Sequence, residues 1–144
     1  MTRLHESPIR VLLTALCGAW LGAAALPALA ADCPVPSAPA GARVEMIAPQ
    51  VEANGLDTSI RAVTVAMPVA GVLGHYRTLW APLATPSRPG SLENEAAGWK
   101  IISSIDGRCL TTVQVKPQGL GSYALVSVAR IQDTADRVAT ETSA

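Results

Sequence analysis

Pro68-Val69-Ala70-Gly71-Val72-Leu73-Gly74-His75-Tyr76-Arg77-Thr78-Leu79-Trp80-Ala81-Pro82 is the stretch on which the fold turns. Val69, Val72, Leu73, Tyr76, Leu79 and Trp80 recur at the spacing of one face of a 3.6-residue helix. Pro68 suits a first helical position, where no N–H is needed, and Pro82 ends the helix. Gly71 and Gly74 each weaken it by about 1 kcal/mol relative to Ala, so packing must hold it. Two glycines three apart suggest a close approach of this helix to a sheet, or a smooth face for a partner helix.

β-rich runs flank the helix. Before it, residues 43–53 and 56–67 surround Asn54-Gly55, a strong two-residue hairpin signal because both turn positions need positive φ. Pro49 marks the first run as an edge or bulged strand. After the helix comes a polar, Pro-containing stretch, 83–97, expected to be a loop of unusual length. Trp99 to Ile105 then alternates, with Trp99, Ile101, Ser103 and Ile105 on one face and Lys100, Ile102 and Ser104 on the other. Asp106-Gly107 is expected to turn the chain. Cys109, Thr111, Val113 and Val115 share a face of the next strand, 108–116, and residues 117–121 form a further turn. In the last strand, 122–131, Tyr123, Leu125 and Ser127 lie opposite Ala124, Val126 and Val128. The expected fold is α+β: a two-layer sandwich with one helix on a five-stranded, mainly antiparallel sheet, in the order β-β-α-β-β-β.

Outside this domain, 43–131, the chain divides simply. Arg3 and Arg10, the apolar run from Val11 to Leu26, and Ala28-Leu29-Ala30 read as a secretory signal peptide over residues 1–30. The apolar run is shorter than a spanning helix and meets Pro27, so no stable membrane insertion is expected after cleavage. Residues 31–42 form a Pro-rich, extended N-terminal arm, and 132–144 a frayed C-terminal tail. The location expected is the periplasm or the exterior. Of the 3 cysteines, Cys17 leaves with the signal peptide. Cys33 and Cys109 are expected to form a disulfide, worth about 3–4 kcal/mol by loop closure.

The 11 basic residues balance 11 acidic ones. Neutrality excludes an electrostatic nucleic-acid footprint and a polybasic membrane patch. His75 is alone outside the leader, so no His-rich metal site can form. It reads as a boundary residue of the helix, or as a general base paired with Glu93 or Glu95. Ser103, Ser104, Ser122 and Ser127 lack a nucleophile-elbow context, and Asp57 and Asp106 are better placed as hairpin and turn residues. Gly119-Leu120-Gly121 leads into a strand, not into a helix that would hold phosphate. Glu93-Asn94-Glu95 supplies too few oxygen ligands for calcium. No cofactor is expected, and a small hydrolase built on His75 is the weakest reading.

Tyr76-Arg77-x-x-Trp80, followed by Gly98-Trp99 and the strands at 112–115 and 125–128, resembles small exported proteobacterial proteins in which a helix precedes a Gly-Trp strand. The resemblance spans roughly residues 54–130. It implies a periplasmic α+β domain and transfers no catalytic residue. The chain has no Phe, so Tyr76, Trp80, Trp99 and Tyr123 are the aromatics expected to fill the core. Alternatively, Trp80 is partly exposed at the helix end and anchors a partner together with Arg77 and Arg88, residue types enriched at interface hot spots. The expected function is therefore a non-enzymatic interaction or accessory domain for an envelope protein, through Arg77, Trp80 and Arg88 or through an open sheet edge. The alternative is a small-molecule or lipid carrier that uses the sheet face away from the helix, lined by Ile102, Val126 or Val128. Oligomeric state is left open.

Overall fold

The computed structural model describes residues 33–132. The expected signal peptide and nearly all of the expected tail lie outside the described residues. An irregular arm, Cys33–Ala42, leads into β1 (Arg43–Ala53) and β2 (Leu56–Val65). The single α-helix among the described residues, α1 (Val69–Trp80), runs into a 3-10 turn at Ala81–Leu83. Four strands follow: β3 (Leu92–Ala96), β4 (Trp99–Asp106), β5 (Cys109–Gln118) and β6 (Gly121–Arg130). They form one sheet in the order β1-β2-β6-β5-β4-β3, with every neighbouring pair antiparallel. α1 carries the chain from the β1–β2 hairpin to the far edge, and the β3–β6 meander returns it to β2.

The α+β class is as expected, but the sheet has six strands rather than five. The added strand, β3, came out of the expected loop. Its five residues, Leu-Glu-Asn-Glu-Ala, are all exposed, so no burial pattern marks it. Its turn into β4 is Ala97-Gly98, both at positive φ, where an Ala gives no hairpin signal. All four hairpins have two-residue turns: Asn54-Gly55, Ala97-Gly98, Gly107-Arg108 and Gly119-Leu120. Asp106 is thus the last residue of β4, paired with Cys109, and not a turn residue. Pro49 lies within the second of two irregularities in the β1–β2 ladder, as a proline on an edge strand should.

α1 packs over β4, β5 and β6. Val72, Leu73, Tyr76 and Trp80 are buried from the helix against Val63, Val65, Ile102, Val113, Val115, Ala124, Val126 and Val128 from the sheet. Pro68 precedes the helix as its N-cap rather than as its first residue. Two buried hydroxyls tie loops to the sheet: Ser122 donates to the Met67 carbonyl at 2.7 Å and Ser104 to the Gly90 carbonyl at 2.6 Å. Gly90 itself lies so close to α1 that a Cβ there would stand 2.2 Å from the Trp80 carbonyl oxygen. Gly71 and Gly74 do not make the expected close approach to the sheet. A Cβ on Gly74 meets nothing within 4 Å, and both glycines border a shallow outer furrow with His75 and Thr78.

Among the described residues no helix lies over the opposite sheet face. From the alternation and register, it carries Ile60, Leu125, Gln114, Ile101, Tyr123 and Trp99. The expectation that all four aromatics share the core is corrected: Tyr76 and Trp80 are buried, whereas Trp99 and Tyr123 pack edge to face on the open side with Lys116 over both rings.

Candidate functional site

The arm is an extended, Pro-rich segment, because a proline donates no ladder hydrogen bond and does not continue a helix. It is anchored at Cys33 by a disulfide to Cys109, 76 positions away in sequence, with Cα atoms 5.5 Å apart. It is anchored again where His75 Nε2 lies 2.7 Å from the Ser37 carbonyl oxygen, which accepts its hydrogen bond. Between these anchors, Pro34, Val35, Pro36 and Ser37 form one wall of a cleft of about 280 Å³. The opposite wall is the end of α1 and its continuation, with Leu79, Trp80, Pro82 and Leu83. The sheet closes the site with Ser104 and Asp106 from β4 and Cys109 and Thr111 from β5.

Apolar walls and a few convergent polar groups are the usual composition of a binding pocket, and the volume sits at the small end of the ligand-pocket range. Asp106 is the one charged side chain among the described residues of the lining. The cleft therefore suits an apolar group beside a cationic or N–H donor. It is too short to sheathe a long acyl chain.

Of the expected partner-binding residues, Trp80 reaches this cleft but is only 7% exposed, which corrects the expectation of a partly exposed anchor. Its indole stacks at a tilt on Tyr76, centroids 5.4 Å apart. Leu79, one residue earlier and 39% exposed, is the accessible apolar side chain at the helix end. Arg77 lies elsewhere, on the exposed side of α1, where its guanidinium meets Glu93 Oε1 at 2.6 and 2.8 Å. Arg88 donates to the Ile105 carbonyl at 3.3 Å. Neither arginine is among the residues that line the cleft.

The acid–base pairing weighed for His75 is not assembled, because Glu93 pairs with Arg77 and Glu95 with Lys100 while His75 holds the arm. Ser104 and Ser122 each donate to a main-chain carbonyl. Among the described residues no three His, Cys, Asp or Glu side chains come together as a metal-ligand set. Nor is any helix among them long and apolar enough to cross a membrane. Ile102, Val126 and Val128, expected to line a carrier cavity on the open face, are buried beneath α1 instead. The open face has a second groove, of about 380 Å³, bordered by Leu56, Ile60, Leu110, Thr112, Gln114 and Ser127.

Behind the cleft lies an unusual buried group. Tyr76 is 0% exposed and its hydroxyl has no hydrogen-bond partner among the described residues. Burial pushes its phenol from the ordinary value of 10.0 up to about 12, since the interior disfavours the phenolate.

Sequence reasoning missed Leu79, Asp106 and the arm as parts of one site. The disulfide pairing was the available signal, since it brings residue 33 to residue 109 and so to the end of β4. Fold and site together define a one-helix α+β domain with a disulfide-anchored cleft. No protein-family model matches the chain, and no curated protein or solved structure does either.

Proposed function

We propose that this chain is a non-catalytic interaction domain of the bacterial envelope, which holds a short extended segment of a partner protein in the cleft between the arm and the end of α1. The supporting observation is the cleft's construction. Apolar walls from two separate segments face one another across a floor with one carboxylate and two hydroxyls. The disulfide suits an oxidising compartment and so supports the envelope assignment. The partner segment inserts an apolar side chain against Leu79 and Trp80 and places a basic or N–H group toward Asp106.

Site-specific photo-crosslinking from position 79 in the native periplasm tests this. The expected result is an adduct that maps to one extended segment of one envelope protein. A synthetic peptide of that segment then binds the purified chain, and Leu79→Asp weakens it by about tenfold or more, as for a truncated interface anchor. Leu120→Asp, at the exposed β5–β6 turn, leaves binding unchanged. A folded probe protein that crosslinks to no protein from position 79 or 35, or equally from 79 and 120, overturns the proposal. A co-purifying small molecule displaced by Leu79→Asp would instead establish the carrier reading.

A further inference from the structure

We propose that the Cys33–Cys109 disulfide is a thiol-exchange site entered through the cleft, and that the segment from Cys33 to Ser37 is a strap latched by that bond across the end of α1. The two sulfurs are not equivalent. Cys33 is 4% exposed, whereas Cys109 is half-buried and contributes to the cleft lining. A reagent entering the cleft therefore meets the Cys109 sulfur, on the rigid β5 strand, before the sulfur on the arm.

The strap differs from the body of the domain in how it is held. Residues 33–39 belong to no strand or helix. The described links from this segment to the body are the disulfide at Cys33, the hydrogen bond between His75 and the Ser37 carbonyl, and the packing of Cys33 and Ala38 against the core. Cys109, in contrast, is fixed by ladder pairing to Asp106 on one side and Arg130 on the other. Cleaving the bond leaves β5 where it is and frees the arm.

The reductant is a dithiol, either a small one or a thioredoxin-like protein. Its thiolate attacks Cys109 Sγ, the Sγ–Sγ bond breaks, and the electron pair leaves on Cys33 Sγ, which takes a proton. The resulting mixed disulfide is attacked by the second thiolate of the reductant. That step releases Cys109 as a thiolate, which is protonated, and closes the disulfide of the reductant. Two electrons pass from the dithiol to the protein. The strap then detaches and the cleft loses a wall. An occupant of the cleft would cover Cys109 and slow the exchange. The exchange itself does not depend on what that occupant is.

The test uses the oxidised full chain and a thioredoxin-like reductase whose second cysteine is replaced by Ser, so that the reaction stops at the mixed disulfide. Peptide mapping is expected to find the adduct on Cys109. Complete reduction by dithiothreitol is expected to speed amide exchange in residues 33–42 by about tenfold or more while β5 and β6 keep their protection. Leu79→Trp, which narrows the mouth, is expected to slow adduct formation several-fold, and Leu120→Trp to leave it unchanged. An adduct on Cys33 overturns the proposal. So does reduction that occurs only at the rate of global unfolding, or a reduced protein whose arm exchanges as slowly as before. Loss of protection throughout the sheet on reduction would make the bond a global staple, and would overturn it equally.

Discussion

Tyr76→Phe isolates one oxygen atom. The hydroxyl of Tyr76 is buried without a partner among the described residues, and its ring sits between the His75 edge, centroids 4.9 Å apart, and the Trp80 indole. Removing the oxygen keeps both ring contacts and relieves a polar group of its uncompensated desolvation, which costs about 1–3 kcal/mol for a buried unpaired donor. Part of that gain is offset by the small void left behind. The expected outcome at neutral pH is a variant at least as stable as the parent, by up to about 1 kcal/mol. The alkaline limb is sharper. The phenol ionises at about 12 in the folded chain against 10.0 in the ordinary state. Between these values the unfolded chain has lost its proton and the folded chain has kept it, so the unfolded state binds fewer protons and stability falls as pH rises. Below pH 10 the contribution is constant. Over the whole window the loss approaches about 2–3 kcal/mol, and Phe at position 76 removes it. Urea unfolding of parent and variant, with the disulfide intact, at about pH 8 and again at about pH 11, measures both effects. A variant less stable than the parent by more than about 1 kcal/mol would show that the hydroxyl has a partner such as bound water. Equal losses for both proteins between the two pH values would show that the phenol is not held neutral by burial.

Three further substitutions probe the frame around the cleft. Gly74→Ala faces open space on the outside of α1 and should stabilise the protein by about 0.5–1 kcal/mol in thermal unfolding. Gly90→Ala would drive a methyl against the Trp80 carbonyl, so a loss of about 1–3 kcal/mol is expected. It should also raise amide exchange at residues 84–91, whose anchor is the bond from Ser104 to the Gly90 carbonyl. Ala97→Asn relieves an Ala held at φ 52. Asn tolerates this conformation and completes an Asn-Gly turn, so a gain of about 0.5–1 kcal/mol in chemical unfolding is expected.

What could be read from the sequence was whatever repeats at a fixed period or has a chemical reason to pair. The stripe from Val69 to Trp80 specified α1, and alternation in residues 99–105, 109–115 and 123–128 assigned side chains correctly to opposite faces. Alternation does not say which face the helix covers. Here the face with Val113, Val115, Val126 and Val128 is covered, and the face with Trp99 and Tyr123 is left open. Aromatic bulk alone therefore pointed to the wrong core members. β3 was illegible for a related reason: an edge strand with no buried side chain has no hydrophobic period to display.

The cleft was illegible for a different reason, because no local pattern encodes it. Its walls come from residues 34–37, 79–83, 104–106 and 109–111, four segments that meet only after the sheet has formed and the arm has been tied down. A one-residue displacement of the turn mattered as well. With Asp106 in the turn, its carboxylate has no reason to face the site. As the last residue of β4, on the same face as Ile102 and Ser104, it borders the cleft beside Cys109. Cys33 thus has two consequences that its sequence position alone does not suggest. It closes a loop of 76 positions, which constrains the unfolded chain. It also places a Pro-rich segment against Leu79 and Trp80, turning the bare end of a helix into a walled site. Stability and site assembly depend on the same covalent bond, so a change in the redox state of that bond reaches both.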